Sequence, residues 1–121
     1  MPEADATSLI LKDLFSLNQR LDSLTWEEFR PGVRIHRLYG NQSHGPSAAL
    51  LLYEPGAGIP MHEHSGYEHL LILAGFQTEE RGPRAAGTFM INPPGTAHSV
   101  CFPNGGVVLA IWEKPVAFVA Q

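Results

Sequence analysis

The chain has 121 residues, of which 44% are apolar, and this length suits one globular domain with a single core. Its net charge is −4 and its eight basic residues are scattered without a run, so we do not expect it to bind nucleic acid. Every apolar run is short, so we do not expect a membrane-spanning segment. The single Cys101 allows no internal disulfide, and the acidic start Met1–Asp5 is unlike a signal peptide, so a cytoplasmic location is expected.

Residues 1–25 are predicted to form an N-terminal arm, followed by a β domain over residues 26–121. Apolar residues of the arm recur at intervals of three and four, the spacing of one helical face, at Ile10, Leu14, Leu17, Leu21 and Leu24. This predicts a helix from about Ser8 to Leu24, and an added β-strand around Leu9–Phe15 is the alternative. In either form the apolar face must be buried on the barrel or on a partner chain, which favours a homodimer.

The rest of the chain predicts an all-β fold. Twelve Gly and ten Pro separate short runs of β-branched and aromatic residues, at intervals typical of a sandwich or barrel. The predicted strands cover residues 33–39, 48–53, 59–64, 67–74, 76–80, 88–91, 97–102, 107–112 and 116–119. Residues 79–81, Glu-Glu-Arg, are predicted to form the charged tip of a hairpin. Trp26 and Trp112 are interpreted as core or subunit-contact aromatics.

Three histidines and one glutamate have the chemistry and spacing of metal ligands. Successive side chains of a strand point to opposite faces, so His62 and His64 share a face. A turn then places Glu68 beside them, and the rigid Pro-Pro-Gly turn at 93–95 delivers His98 at the start of its own strand. Taken singly, these histidines could instead be exposed loop residues or core residues bonded to backbone. Together they predict a site for one divalent metal ion.

The same alternation excludes two neighbouring candidates from the site. His69 lies on the face opposite to Glu68, and Cys101 is an odd number of residues from His98, so neither is predicted to be a ligand. Imidazole and carboxylate without thiolate suit Fe(II), Mn(II), Co(II), Ni(II) or Zn(II), and the pattern does not choose among them. A six-coordinate ion would keep two open positions, whereas four-coordinate zinc would be full and structural.

The spacing of these residues resembles the two-part signature of the cupin superfamily of RmlC-like jelly rolls. The first part reads G-x5-H-x-H-x3-E-x6-G from Gly56 to Gly75, and the second reads G-x5-P-x-G-x2-H from Gly87 to His98. Stretches 67–75, 86–88 and 92–98 are similar to small single-domain ChrR-like cupins, and the resemblance covers about residues 26–119. It implies a double-stranded β-helix, or jelly-roll barrel, with His62, His64, Glu68 and His98 as the metal ligands.

Two departures from the family pattern limit what the resemblance implies. Many cupins have Asn four residues after the last histidine, where this chain has Phe102. The ChrR-like anti-sigma proteins also carry an N-terminal zinc-binding, sigma-binding domain, but residues 1–35 contain no His or Cys. An anti-sigma role is therefore not expected.

The resemblance leaves functions of different classes open. A metal-dependent, Fe(II)-type dioxygenase would act on a small apolar or diketone-like or hydroxyketone-like molecule, in an apolar pocket that includes Leu70, Ile72, Met90, Val100 and Phe102. The alternative is a non-catalytic metal-binding or ligand-sensing module. Metal-free sugar isomerisation or epimerisation ranks last, because it needs an inward acid/base pair beyond the proposed ligands.

Overall fold

The computed structural model describes residues 7–119 and is built almost wholly from antiparallel strands. Two short 3-10 helices, Leu14–Gln19 and Leu21–Ser23, precede the strands. The strands are β1 Glu27–Arg30, β2 Val33–Tyr39, β3 Ser47–Tyr53, β4 Gly58–His64, β5 Glu68–Glu79, β6 Gly82–Ala85, β7 Phe89–Asn92, β8 Ala97–Cys101, β9 Gly106–Trp112 and β10 Val116–Phe118. This is the jelly-roll barrel expected from the sequence.

Strand β5 joins the two sheets of the barrel. Its first half pairs with β7 and β9, and its last residues pair with β6 and β8. The strand changes sheets at a bulge between Ile72 and Ala74, next to Gly75, whose φ of +77° favours glycine. The sequence prediction had divided this strand into two separate strands, over 67–74 and 76–80.

Two strands were absent from the sequence prediction. Strand β1, with sequence Glu-Glu-Phe-Arg, is a half-exposed edge strand, and β6 contains Pro83 and no β-branched residue. Neither segment carries the alternation that marks a buried strand. Pairing with β2 and with β5 stabilises them instead.

The sequence prediction for the N-terminal arm is wrong. There is neither a continuous helix over Ser8–Leu24 nor a strand over Leu9–Phe15, because residues 7–13 have no regular structure and only the two 3-10 helices follow. Asp13, with φ +54°, interrupts any helix that would run through it. The spacing of the leucines reflects docking rather than an α-helix: Leu17 is buried against the outer face of β3, β5 and β9.

The main core fills the barrel interior with apolar side chains from both sheets. Its members include Val33, Ile35, Leu51, Ile72, Phe102 and Val108. Tyr53 and Phe102 stack there with ring centroids 4.2 Å apart. Among residues 7–119, no helix has the length and apolar character needed to cross a bilayer.

Candidate metal centre

The barrel brings His62, His64, Glu68 and His98 together in its interior. All four residues are buried, and one potential ligand atom from each lies within 4.8 Å of the others. His62 of β4 is the direct cross-strand partner of His98 on β8, while Glu68 begins β5. The alternation within β4 turns His62 and His64 to the same side, as the sequence predicts.

Hydrogen bonds fix the tautomers of two of the histidines. His62 Nδ1 lies 2.8 Å from the Pro60 carbonyl oxygen, and His98 Nδ1 lies 2.9 Å from Glu79 Oε2. A carbonyl and an ionised carboxylate can only accept, so both Nδ1 atoms must carry the proton. In the neutral ring the lone pair is then on Nε2.

His64 reaches the same state through Thr96. The Thr96 hydroxyl donates to the Pro93 carbonyl oxygen at 2.6 Å, so it accepts from His64 Nδ1 at 2.9 Å. His64 Nε2 lies 2.9 Å from Glu68 Oε1, yet it makes no hydrogen bond within residues 7–119. Two buried lone-pair atoms at this distance repel each other unless a proton or a metal ion lies between or beside them, so this pair has the chemistry of a metal site.

Glu68 is held as a carboxylate by donors on both of its oxygens. Asn92 Nδ2 donates to Oε1 at 2.9 Å, and Trp112 Nε1 donates to Oε2 at 2.8 Å. Burial raises the pKa of Glu68, but His64, the Asn92 amide and His98 outweigh it and hold the pKa below its ordinary value. Trp112 is therefore a core residue, as the sequence indicates, whose indole also orients the carboxylate.

Glu79 supports His98, a role that the sequence analysis missed. The prediction placed Glu79 at the charged tip of a hairpin, but only Glu80 and Arg81 occupy that turn. The Glu79 side chain is 1% exposed, and its second oxygen lies 3.2 Å from Arg81 Nε and 3.3 Å from Arg84 Nη2. Burial would raise the pKa of Glu79, but the hydrogen bonds from His98 and Arg81 and the charge of Arg81 lower it, so the group is ionised.

Three of the four residues, His62, Glu68 and His98, line a cavity of about 400 Å³, measured out to its open mouth. Of the predicted pocket residues, Leu70 and Val100 line this cavity, while Ile72, Met90 and Phe102 are buried in the surrounding core. The lining residues that the sequence analysis did not predict include Gln77 and Tyr53. Burial raises the pKa of Tyr53, and the charge of Glu68 raises it further, so its hydroxyl stays neutral.

The residues that strand alternation excluded lie away from this centre. His69 is on the outer face of β5, where its ring stacks between Tyr67 and Phe89 at centroid distances of 6.2 and 5.9 Å. Cys101 is partly exposed, with its sulfur 3.7 Å from the Gly56 carbonyl oxygen. Neither residue belongs to the ligand cluster.

Residues 17–117 match the sequence profile of the ChrR cupin-like domain. The chain belongs to this family. Its fold is the barrel expected from the two-part signature, and its buried His-His-Glu-His cluster could hold a metal ion. No curated protein matches the sequence.

Solved structures with the same fold differ in function. A protein of unknown function with a cupin-like fold from Ralstonia eutropha JMP134 is 21% identical, with a TM-score of 0.67 over 74% of this chain and 60% of the other. A chain of the Rhodobacter sphaeroides complex of SigE with the anti-sigma ChrR is 26% identical, with a TM-score of 0.68 over 79% of this chain and 53% of the other. An acetylacetone dioxygenase from Acinetobacter johnsonii is 14% identical, with a TM-score of 0.75 over 100% of this chain and 83% of the other. The chain therefore spans less than two thirds of the first two proteins.

Proposed function

We propose that this ChrR-like cupin binds one divalent metal ion and is a metal-dependent dioxygenase of small diketone-like or hydroxyketone-like molecules. The ligands would be His62, His64, Glu68 and His98. The observation that carries the proposal is that three buried imidazoles lie beside one ionised carboxylate, and that the Nδ1 atom of each ring already makes a hydrogen bond, which leaves Nε2 for the metal.

The donor set fits an ion that keeps open positions. Three neutral imidazoles and one carboxylate leave a divalent ion with one net positive charge, which attracts an anionic ligand. His64 Nε2 lies 2.9 Å and His98 Nε2 lies 3.7 Å from Glu68 Oε1, so these atoms are close enough to bind one ion together. A six-coordinate ion held by these four residues would keep two positions free for substrate.

The protein's own residues would orient the ligands and enclose the substrate. Asn92 and Trp112 hold Glu68 through both of its oxygens, and Glu79 holds His98. Apolar walls such as Leu70 and Val100 exclude water from the cavity. An Fe(II) ion bound there would supply the electron for dioxygen activation and a Lewis acid for a substrate oxygen. The likeness to an acetylacetone dioxygenase along the whole chain supports this choice of reaction.

A second candidate function is a non-catalytic metal-binding or ligand-sensing module. It is favoured by the match to the ChrR cupin-like domain and by the 26% identity to a chain of the SigE complex with ChrR. This function predicts zinc with a closed, four-coordinate shell. It also predicts a change in thermal stability when a ligand or the metal is removed.

Two measurements test the proposal. The first is the metal content of purified protein, which should be near one ion per chain and should fall in each variant that loses an imidazole: His62→Ala, His64→Ala and His98→Ala. The matched control is His69→Ala, which removes an imidazole on the outer face of β5 and should keep its metal.

The second measurement is oxygen uptake by the iron-loaded protein with β-diketones and hydroxyacetophenones. We expect uptake with at least one of them, and loss of uptake in His98→Ala. A protein that consumes no oxygen with any of these compounds, and whose ion is four-coordinate zinc by X-ray absorption, would favour the sensing module instead.

A further inference from the structure

Gln77 carries an amide that the fold leaves without a partner inside the cavity. The residue is 1% exposed, and within residues 7–119 its Nε2 makes no hydrogen bond. An unpaired buried amide costs about 1–3 kcal/mol of stability. A side chain that carries this cost while lining a ligand cavity indicates that the missing partner belongs to the ligand.

The backbone directs Gln77 inward rather than allowing it to reach solvent. Beyond the bulge of β5, residue 77 pairs with Arg84 of β6, and Thr78 pairs with Cys101 of β8. Alternation after Gly75 then places Gln77 and Glu79 on the interior side, where Gln77 shares the cavity with His62, Glu68 and His98.

Within residues 7–119, no acceptor of the cavity lining makes a hydrogen bond with this amide. Among residues 7–119, Glu68 is the only carboxylate that lines it, and both Glu68 oxygens already accept from Asn92 and Trp112. The Tyr53 hydroxyl is a second neutral group in the same lining, and most of the remaining wall is apolar. The lining thus combines an amide donor with apolar surface beside the proposed metal.

We infer that Gln77 is a positioning residue that donates a hydrogen bond to an oxygen atom of the ligand. The ligand is a small oxyanion, an enolate or carboxylate, that places one oxygen toward the metal and another on the Gln77 amide, with an apolar remainder against the walls. The space that the centre of a water molecule can reach is only about 30 Å³, so a larger remainder must extend toward the mouth. This inference rests on the proposed function, because it needs a metal ion with open positions.

The test uses the full-length protein loaded with Co(II), whose visible absorption reports on bound anions. Acetate, acetylacetone and azide are titrated into the wild type, Gln77→Leu, Gln77→Met and the control Gln42→Leu. Gln42 also lines the cavity but is only half-buried. We expect both Gln77 variants to bind acetate and acetylacetone about tenfold more weakly, as for one lost hydrogen bond. Azide accepts hydrogen bonds through its terminal nitrogen more weakly than a carboxylate or enolate oxygen does, so its affinity should change less than that of the oxyanions in both Gln77 variants.

A structural role for Gln77 predicts a different set of results. If the amide serves the ligand, its replacement by an apolar side chain should raise the thermal unfolding midpoint of the ligand-free protein, because an unpaired buried donor is removed. A lower midpoint in both Gln77 variants would overturn the inference, as would unchanged oxyanion affinity in those variants, or an equal loss in Gln42→Leu. If azide fails to perturb the wild-type spectrum, the open metal positions themselves are wrong and the proposed function fails first.

Discussion

Replacing Glu79 by glutamine tests whether a residue outside the ligand set controls the metal centre. In the wild type one Glu79 oxygen accepts from His98 Nδ1 at 2.9 Å, and the other faces Arg81 and Arg84. Glutamine keeps the shape but turns one of the two oxygens into a donor. Since Arg81 is 73% exposed and can move away, we expect the new amide nitrogen to face the arginines and the remaining oxygen to face His98.

The size of the effect follows from this arrangement. His98 would keep a hydrogen bond, but to a neutral acceptor, and charge-assisted bonds are roughly twice as strong as neutral ones. With charged bonds contributing about 1.5–3 kcal/mol, losing half of this costs about 0.8–1.5 kcal/mol, or roughly 4- to 13-fold in metal affinity. The Glu79 side chain is 1% exposed, so solvent screens its bond to His98 less than it would screen an exposed pair.

Competition between the protein and a chromophoric chelator for Zn(II) or Co(II) measures the affinity directly. The matched control is Glu80→Gln, the same change at the adjacent residue, whose exposed carboxylate bonds to Ser99 and contacts no ligand histidine. The control should bind metal within about twofold of the wild type. Equal affinities for Glu79→Gln and the wild type, or equal losses in both variants, would refute the reasoning.

Three further predictions address the site and the fold. His62→Ala should lose metal while His69→Ala retains it, measured as metal content after dialysis. Because burial, followed by smaller effects, lowers the pKa of His62 below 6.5 in the folded chain, the unfolded chain binds more protons. The chelator-treated protein should therefore lose stability as pH falls below about 6.5. It should lose more as pH falls below the ordinary pKa of a glutamate, because the pKa of Glu68 is also lowered in the folded chain. A free energy of unfolding in denaturant that stays constant from pH 7 to 4 would contradict this. Gly75→Ala combines a φ of +77° with a Cβ that would overlap the Gly105 carbonyl oxygen, and should cost about 2–4 kcal/mol in urea unfolding. Gly87→Ala, at φ +93° with open space around it, should cost about 1–2 kcal/mol from backbone strain alone.

The sequence by itself determined which residues could form the centre and which faces they occupy. Alternation in a strand is local, so the pairing of His62 with His64 and the exclusion of His69 follow from residue spacing alone. The spacing also predicted most of the strands, because turn residues and alternating apolar residues mark a β domain wherever they occur, and the resemblance to the cupin signature implied the jelly-roll barrel. The structure brings the four expected side chains together in the barrel.

Only the tertiary structure decided what surrounds those four side chains. The bulge beside Gly75 shifts the alternation of β5, so Gln77 and Glu79 face inward although they are an odd number of residues from Glu68. The donors from Asn92 and Trp112 come from positions 24 and 44 residues away in sequence. Such contacts depend on strand register, which many weak, distant interactions set together, and no local pattern encodes them. For the same reason the leucines of the arm, spaced as in a helix, form 3-10 turns docked on a sheet.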